Sequence, residues 1–242
     1  MGSRFASLRA SYRESDLWIG VDPPSYSRAM EDSAASRVRS LRLGLDAYIA
    51  QRPEFLSSLV PIAPDGAAPP LAAAMLAASR AAGVGPMAAV AGAVAALVGE
   101  GLAAEFGCRE LIVANGGDLW LRFEEPLDIS IFAGDSPLSE RVGVTVPPEF
   151  SPLGLCTSSG TIGPSLSLGR ADAAMVACRD AALADAWATA VGNAVTWPED
   201  IEAALGLIEG REGIISVLVI KGGRMGIRGR LPLKLFPGLC LL

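Results

Sequence analysis

The chain has 242 residues, 51% of them apolar, a net charge of −6 and no histidine. That length and apolar content suffice to bury a full core, and the acidic balance, with no basic run longer than RVRSLR at 37–42, removes the footing for nucleic-acid binding. The missing histidine excludes Ser-His-Asp and Cys-His catalysis and every His-ligated metal site, leaving proton transfer to carboxylates, Cys, Tyr, Lys221, Lys234 or metal-bound water, of which carboxylates on Mg²⁺ fit best.

Taken in chain order, residues 3–22 read as a hairpin, with Leu17, Ile19 and Val21 alternating after a polar turn at Glu14 and Ser15. The charged start lacks the apolar core of a signal peptide, so the expected location is the cytoplasm. A long helix is expected over 26–51, where Met30, Ala34, Val38, Leu41, Leu45 and Ile49 recur at helical spacing until Pro53 stops it. After a loop rich in Pro, Gly and Ala at 61–70, two Ala-rich helices are expected at 71–82 and 87–106, divided by Gly83, Gly85 and Pro86. The uncharged run at 81–99 approaches the roughly 20 residues of a membrane span, but its glycines, Pro86 and the charge at Glu100 favour a buried, closely packed helix.

Strands at 110–114, 118–123, 127–134 and 141–147 are expected to form one consecutive antiparallel run joined by short turns. A hydroxyl-rich turn at 156–163 follows, then a strand at 171–179, helices at 181–195 and 199–210, a strand at 213–221 and a last short strand at 224–229. Helix runs and strand runs are segregated, which predicts an α+β fold: an antiparallel-rich sheet with Ala-rich central helices, organised as a single domain over 1–242. Cys108, Cys156, Cys178 and Cys240 form no C-x-x-C pair, so reduced thiols are expected rather than a zinc knuckle or a redox site.

Three motifs carry chemistry. In CTSSGTIG, Thr157, Ser158, Ser159 and Thr161 bracket Gly160, and their hydroxyls and backbone amides suit an anion such as a pyrophosphate; the same residues also suit a turn that ties down its own backbone. In ANGGDLWL, Asn115 and Gly116 signal a hairpin, while Gly116 and Gly117 would admit a ligand close to the backbone, with Asp118 in reach of a ribose or ring substituent. In ADAWATA, Asp185 and Thr189 lie one turn apart on one helix face and form an incomplete oxygen cage for Mg²⁺; the competing role for Asp185 is to favour its own helix dipole. Cys156 has no basic neighbour in sequence and reads as inert, and Trp187 reads as core. No catalytic residue is assigned.

Together TSSG, the strand ADAAMV and DAALADAWATA resemble the ApbE-like superfamily, whose type members are Mg²⁺-dependent FAD:protein FMN transferases. PMAAVAGAVA (86–95), ANGGDLWL and GLCTSSGTIGPSLSLGRADA are more closely similar to an uncharacterised ApbE-like family of archaea and anaerobic bacteria, over roughly residues 84–195. The resemblance implies FAD or FMN as ligand, Mg²⁺ on Asp185 and Thr189 with a backbone carbonyl from 89–92 as a further ligand, and a nucleotide site lined by Asn115 to Asp118 and Thr157 to Thr161. It also implies departures: Gly85 and Ala91 stand where the transferases carry an acid and a lysine, and Pro164 falls where they carry a histidine. Loss of those groups weakens both pyrophosphate neutralisation and any acid–base role, which counts against FMN transfer even where the fold is shared. The expected partner is a flavin or other nucleotide, with no nucleic acid and no membrane, and with a homodimer or a cytosolic protein as further partners. The alternative role is a non-catalytic metabolite-binding or assembly protein, which the closer family links to sulfur assimilation and homocysteine formation.

Overall fold

The computed structural model of the protein describes residues 4–160 and 169–237. The elements are β1 (Ala6–Tyr12), β2 (Ser15–Val21), α1 (Ala29–Gln51), α2 (Glu54–Ser57), α3 (Pro70–Ala82), α4 (Val90–Phe106), β3 (Leu111–Asn115), β4 (Asp118–Arg122), β5 (Leu127–Ser130), β6 (Val142–Val146), β7 (Leu153–Ser158), β8 (Ala173–Cys178), α5 (Ala181–Asn193), α6 (Ile201–Gly206), β9 (Ile214–Lys221), β10 (Arg224–Gly229) and β11 (Leu233–Leu235). The fold is α+β.

Eight strands form one antiparallel sheet in the order β1-β2-β3-β4-β7-β8-β9-β10, and β11-β6-β5 form a second, three-stranded sheet. Strand alternation divides the apolar residues between the faces of the large sheet. Leu17, Ile19, Leu111, Val113 and Trp120 point into a core shared with Met30, Val38, Met75, Val94 and Leu102 of α1, α3 and α4. Leu121, Leu153, Leu155, Met175, Leu218 and Ile220 point the other way and are covered by Leu127, Val142, Val144 and Val146 of the small sheet. A third cluster lies beneath α5 and α6, where Ala184, Trp187, Ala188 and Leu205 cover Val176, Val217 and Val219. Each fully buried Leu or Val stabilises the fold by roughly 1.5–3 kcal/mol.

Two strand expectations are corrected. The strands at 127–134 and 141–147 do not continue the run begun by β3 and β4: β4 pairs with β7, while β5 and β6 pair with each other in the second sheet. Their apolar residues are needed to cover the exposed face of β7–β9, and sequence adjacency cannot distinguish that layer from the next place in the large sheet. The expected hydroxyl-rich turn is a strand in its first half, a buried central strand whose Leu153 and Leu155 enter one core and whose Cys156 enters the core on the other face. The helix expected at 87–106 begins at Val90, after a 3-10 turn at Pro86–Ala89 with Pro86 at its first position. The helical segment Pro86–Phe106, the 3-10 turn together with α4, is long and apolar enough by composition to cross a membrane, and in the fold α4 packs against β3, β4, α1 and α5.

Candidate functional site

Four elements converge where β4 and β7 meet the helices. On β4, Asp118 shares a face with Trp120, which is buried against the helices, so Asp118 points to the same side. Its cross-strand partner is Cys156 on β7. The Cys156 thiol is buried and donates to the Ala181 carbonyl at the start of α5, 3.4 Å away. One turn along α5, Asp185 is only 8% exposed, and its Oδ2 accepts a hydrogen bond from the Gly92 amide at 2.9 Å.

Gly92 is the third residue of α4, among the first amides that a helix leaves without an internal partner. Asp185 therefore supplies a hydrogen-bond acceptor to an amide at the N-terminus of a neighbouring helix. It is not the cap of its own helix: Asp180 holds that position, accepting from the amides of Ala182 and Leu183. The contact needs glycine, because a Cβ at residue 92 would stand 2.3 Å from the Ala181 carbonyl oxygen and 2.9 Å from the Asp185 Cβ.

The Asn115 to Asp118 turn closes one side. Asn115 and Asp118 pair across it, leaving Gly116 and Gly117 as the two central residues. Gly116 has φ +65° and a Cβ there would meet nothing, as expected of the first central residue of a type II′ hairpin turn. Asn115 is a strand residue whose Nδ2 donates to the Ala91 carbonyl at 3.3 Å, tying the turn to the start of α4. Ala91 stands where the family resemblance would place a lysine, and here its backbone carries the contact.

The hydroxyl-rich segment divides by strand alternation. Ser158 lies on the helix side, its Oγ 3.7 Å from where a Cβ of Gly192 in α5 would be, whereas Thr157 falls on the opposite face with its amide bonded to the Gly117 carbonyl at 3.1 Å. Ser159 follows β7, and Gly160 donates its amide to the Ala171 carbonyl at 2.9 Å. Thr161 and Pro164 lie outside the described residues. Thr189 is half-buried on α5, one turn beyond Asp185. Of the residues singled out from sequence, Asn115, Asp118, Ser158, Asp185 and Thr189 thus share the helix side of the sheet, while Thr157 contributes backbone only.

Burial dominates the electrostatics. It pushes the Asp118 carboxyl up to about 7 against the pull of the Cys156 thiol and the Thr157 amide. Burial first and the charge of Asp118 second push Asp185 well above the usual carboxylate range, opposed by the amides of Gly92 and Ala91. The same burial, with Asp118 and Asp185 nearby, pushes the Cys156 thiol far up, which makes it a poor nucleophile. Asp118 Oδ1 is sealed from solvent and has no hydrogen-bond partner among the described residues. Both lysines are engaged elsewhere, Lys221 with Asp172 at 3.1 Å and Lys234 with Asp128 at 3.0 Å. On an adjoining face of α5, Trp187, Ala190 and Asn193 line a cavity of about 310 Å³ with Ala82, Val84 and Arg211.

Sequence reasoning missed two participants. The Gly92 amide and the Cys156 thiol join α4, β7 and α5, and both depend on contacts between residues distant in the chain. The alternation of Leu153 and Leu155 with Gly154 and Cys156 was the available signal for β7, and with it for the helix-facing position of Cys156.

The fold is shared with flavin-transferring proteins of known structure. The apo form of Pseudomonas stutzeri flavinyl transferase ApbE superposes with a TM-score of 0.55 at 14% identity, covering 93% of this chain and 94% of that one. A mutant of the flavin transferase ApbE from Vibrio cholerae gives a TM-score of 0.53 at 12% identity, covering 93% and 97%. A family model described as AbpE bacteria matches residues 2–205. The chain belongs to this family, within the ApbE-like superfamily. Among its relatives, a UPF0280 protein of Methanocella arvoryzae is 38% identical over 232 residues, covering 95% of this chain and 92% of the relative. One from Methanothrix thermoacetophila is 43% identical over 200 residues, covering 82% and 83%.

Proposed function

We propose that residues 1–242 act as one ApbE-like domain that binds a flavin nucleotide, FAD or FMN, together with Mg²⁺, in the cytoplasm. The observation that carries this reading is the buried Asp185 carboxylate, held by the Gly92 amide on the same side of the sheet as Asp118 and Thr189. The donor set suits Mg²⁺, since two carboxylates and a hydroxyl are hard oxygen ligands, and the sealed, unpartnered Asp118 Oδ1 is an acceptor that a cation would satisfy. Asp185 and Thr189 would hold the ion, and once bound it would neutralise phosphate charge.

The chain's own residues have separate tasks in this reading. The Gly116 and Gly117 turn admits the ligand to the backbone, Asn115 fixes that turn against α4, and Ser158 with the Ser159 to Thr161 segment offers hydroxyl and amide donors to phosphate oxygens. The neighbouring cavity, lined by Trp187 and Ala190, is within the range of small-molecule clefts.

The second reading, a binding or assembly protein without transfer, is favoured by the engagement of both lysines in distant ion pairs and by the absence of histidine. A base for FMN transfer would then have to be a carboxylate.

Fluorescence titration of FAD with protein in the presence of Mg²⁺ tests the proposal. Saturable quenching by wild type and its loss in Asp185→Ala are expected. Unquenched FAD, or identical titrations for both proteins, would contradict it. Transfer of FMN to any co-purified polypeptide, seen as a covalent flavin band, would decide against the second reading.

A further inference from the structure

The geometry points to Asp118 as a second carboxylate ligand of the divalent cation, opposite Asp185. This deepens the flavin reading and rests on it only for the role of Asp185.

The comparison that carries the assignment is with the other buried acids of the chain. Asp22 accepts from the amides of Arg109 and Glu110 and from the Ser25 hydroxyl. Glu110 is gripped by Arg4 and by the amides of Glu124 and Glu125. Asp172 is satisfied by Lys221 and the Gly222 amide. Asp118 has only neutral company, the Cys156 thiol and the Thr157 amide: its Oδ1 is sealed and unpartnered, and no basic side chain forms an ion pair with it or with Asp185 among the described residues. An unpartnered buried acceptor costs about 1–3 kcal/mol, and more when charged. Two acids near one thiol, neither with a cationic side chain as partner among the described residues, make a place that a cation would satisfy.

The surrounding contacts fix what can fill it. Cys156 is the cross-strand neighbour of Asp118, its thiol donates to the Ala181 carbonyl one turn before Asp185, and burial keeps it protonated, so sulfur is not offered to a metal. Asp185 accepts from the Gly92 amide through Oδ2 at 2.9 Å, and in this assignment its Oδ1 is the ligand atom. Oxygen donors alone select a hard cation, Mg²⁺, Mn²⁺ or Ca²⁺, rather than zinc or copper. Asp118 is the last element of the glycine turn, so a cation on it would also draw that turn towards α5.

The test is Mn²⁺ binding to the metal-free protein with no flavin present, followed by the loss of free-ion EPR signal and by calorimetry, with Mg²⁺ as competitor. Wild type is expected to bind one Mn²⁺ per chain. Asp118→Asn should weaken binding by about tenfold or more, as loss of even an outer partner of a metal site does, and Asp185→Asn should do the same. Glu199→Gln, which alters an exposed pair with Arg224, should leave it unchanged. Asp118→Ser serves as a second variant, and the melting temperatures of the metal-free variants establish that they are folded. Wild type that takes up no Mn²⁺, or a folded Asp118 variant binding within about twofold of wild type, overturns the assignment. A chain that binds Mn²⁺ through Asp118 but never binds FAD keeps this site and loses the flavin reading. FAD binding with Mg²⁺ alongside unchanged Mn²⁺ affinity in Asp118→Asn does the reverse.

Discussion

Glu110, just before β3, and Asp118, at the start of β4, are acids whose partners give them opposite behaviour. The Arg4 guanidinium, together with the Glu124 and Glu125 amides, holds the Glu110 carboxyl down at about 2. Because its folded value lies below the ordinary carboxylate value, the stability it contributes is complete above pH 4.5 and fades as pH falls towards about 2. Glu110→Gln should therefore cost about 1–3 kcal/mol at pH 7. In urea titrations its deficit against wild type should narrow between pH 4.5 and pH 2; a deficit that stays constant over that interval would show that Glu110 is not held by its charge. Asp118, lacking a cation among the described residues, is pushed in the other direction by burial. The chain thus gives Asp22, Glu110 and Asp172 internal partners and leaves Asp118 Oδ1 at the candidate site without one among the described residues.

At the scale of elements, the candidate site depends on how closely α4 and α5 approach. Gly92 allows the Ala181 carbonyl and Asp185 to lie against the start of α4, and a methyl group there has backbone in its way. Gly92→Ala should destabilise the fold by about 1–3 kcal/mol, as overpacking does, and should weaken nucleotide binding by moving Asp185. A urea midpoint equal to that of wild type would mean that the helices are free to separate without cost. The helices themselves were legible: Met30, Ala34, Val38 and Leu45 recur at the period that buries one face of α1, and the Ala-rich α3, α4 and α5 follow from their small apolar residues. The turn at Gly116 and Gly117 was legible too, since glycine pairs between alternating strands have few other uses. The placement of β5 and β6 was not, because pairing between strands depends on which apolar face needs cover, and local pattern is the same in either sheet. β7 was concealed by its hydroxyl-rich end, where Thr157 and Ser158 look like turn residues although they continue a strand begun by Leu153.

For the molecule as a whole, the large antiparallel sheet acts as a platform with helices on one face and the small sheet on the other. The candidate ligands lie on the helix side, where β3 ends, β4 begins and β7 ends, so residues far apart in sequence meet at one place. Sequence singled out Asp185 and Thr189 as candidates through helical spacing and family resemblance, because both lie on one element. It could not reveal that Asp118 and Asp185 lie near one thiol, since that depends on the β4–β7 register and on the packing of α5 over β7. The same platform occurs in ApbE proteins at 14% identity or less, so the architecture persists where most side chains have changed. What this chain does with it is decided by the site and not by the platform.

The most direct measurement is an electron-density map of crystals soaked in FAD and Mg²⁺. The account predicts phosphate density beside Ser158 and the Gly116–Gly117 turn, with a metal peak touching Asp185 and Thr189. An empty site at saturating FAD, or nucleotide density elsewhere with Asp185 still bonded only to the Gly92 amide, would contradict it.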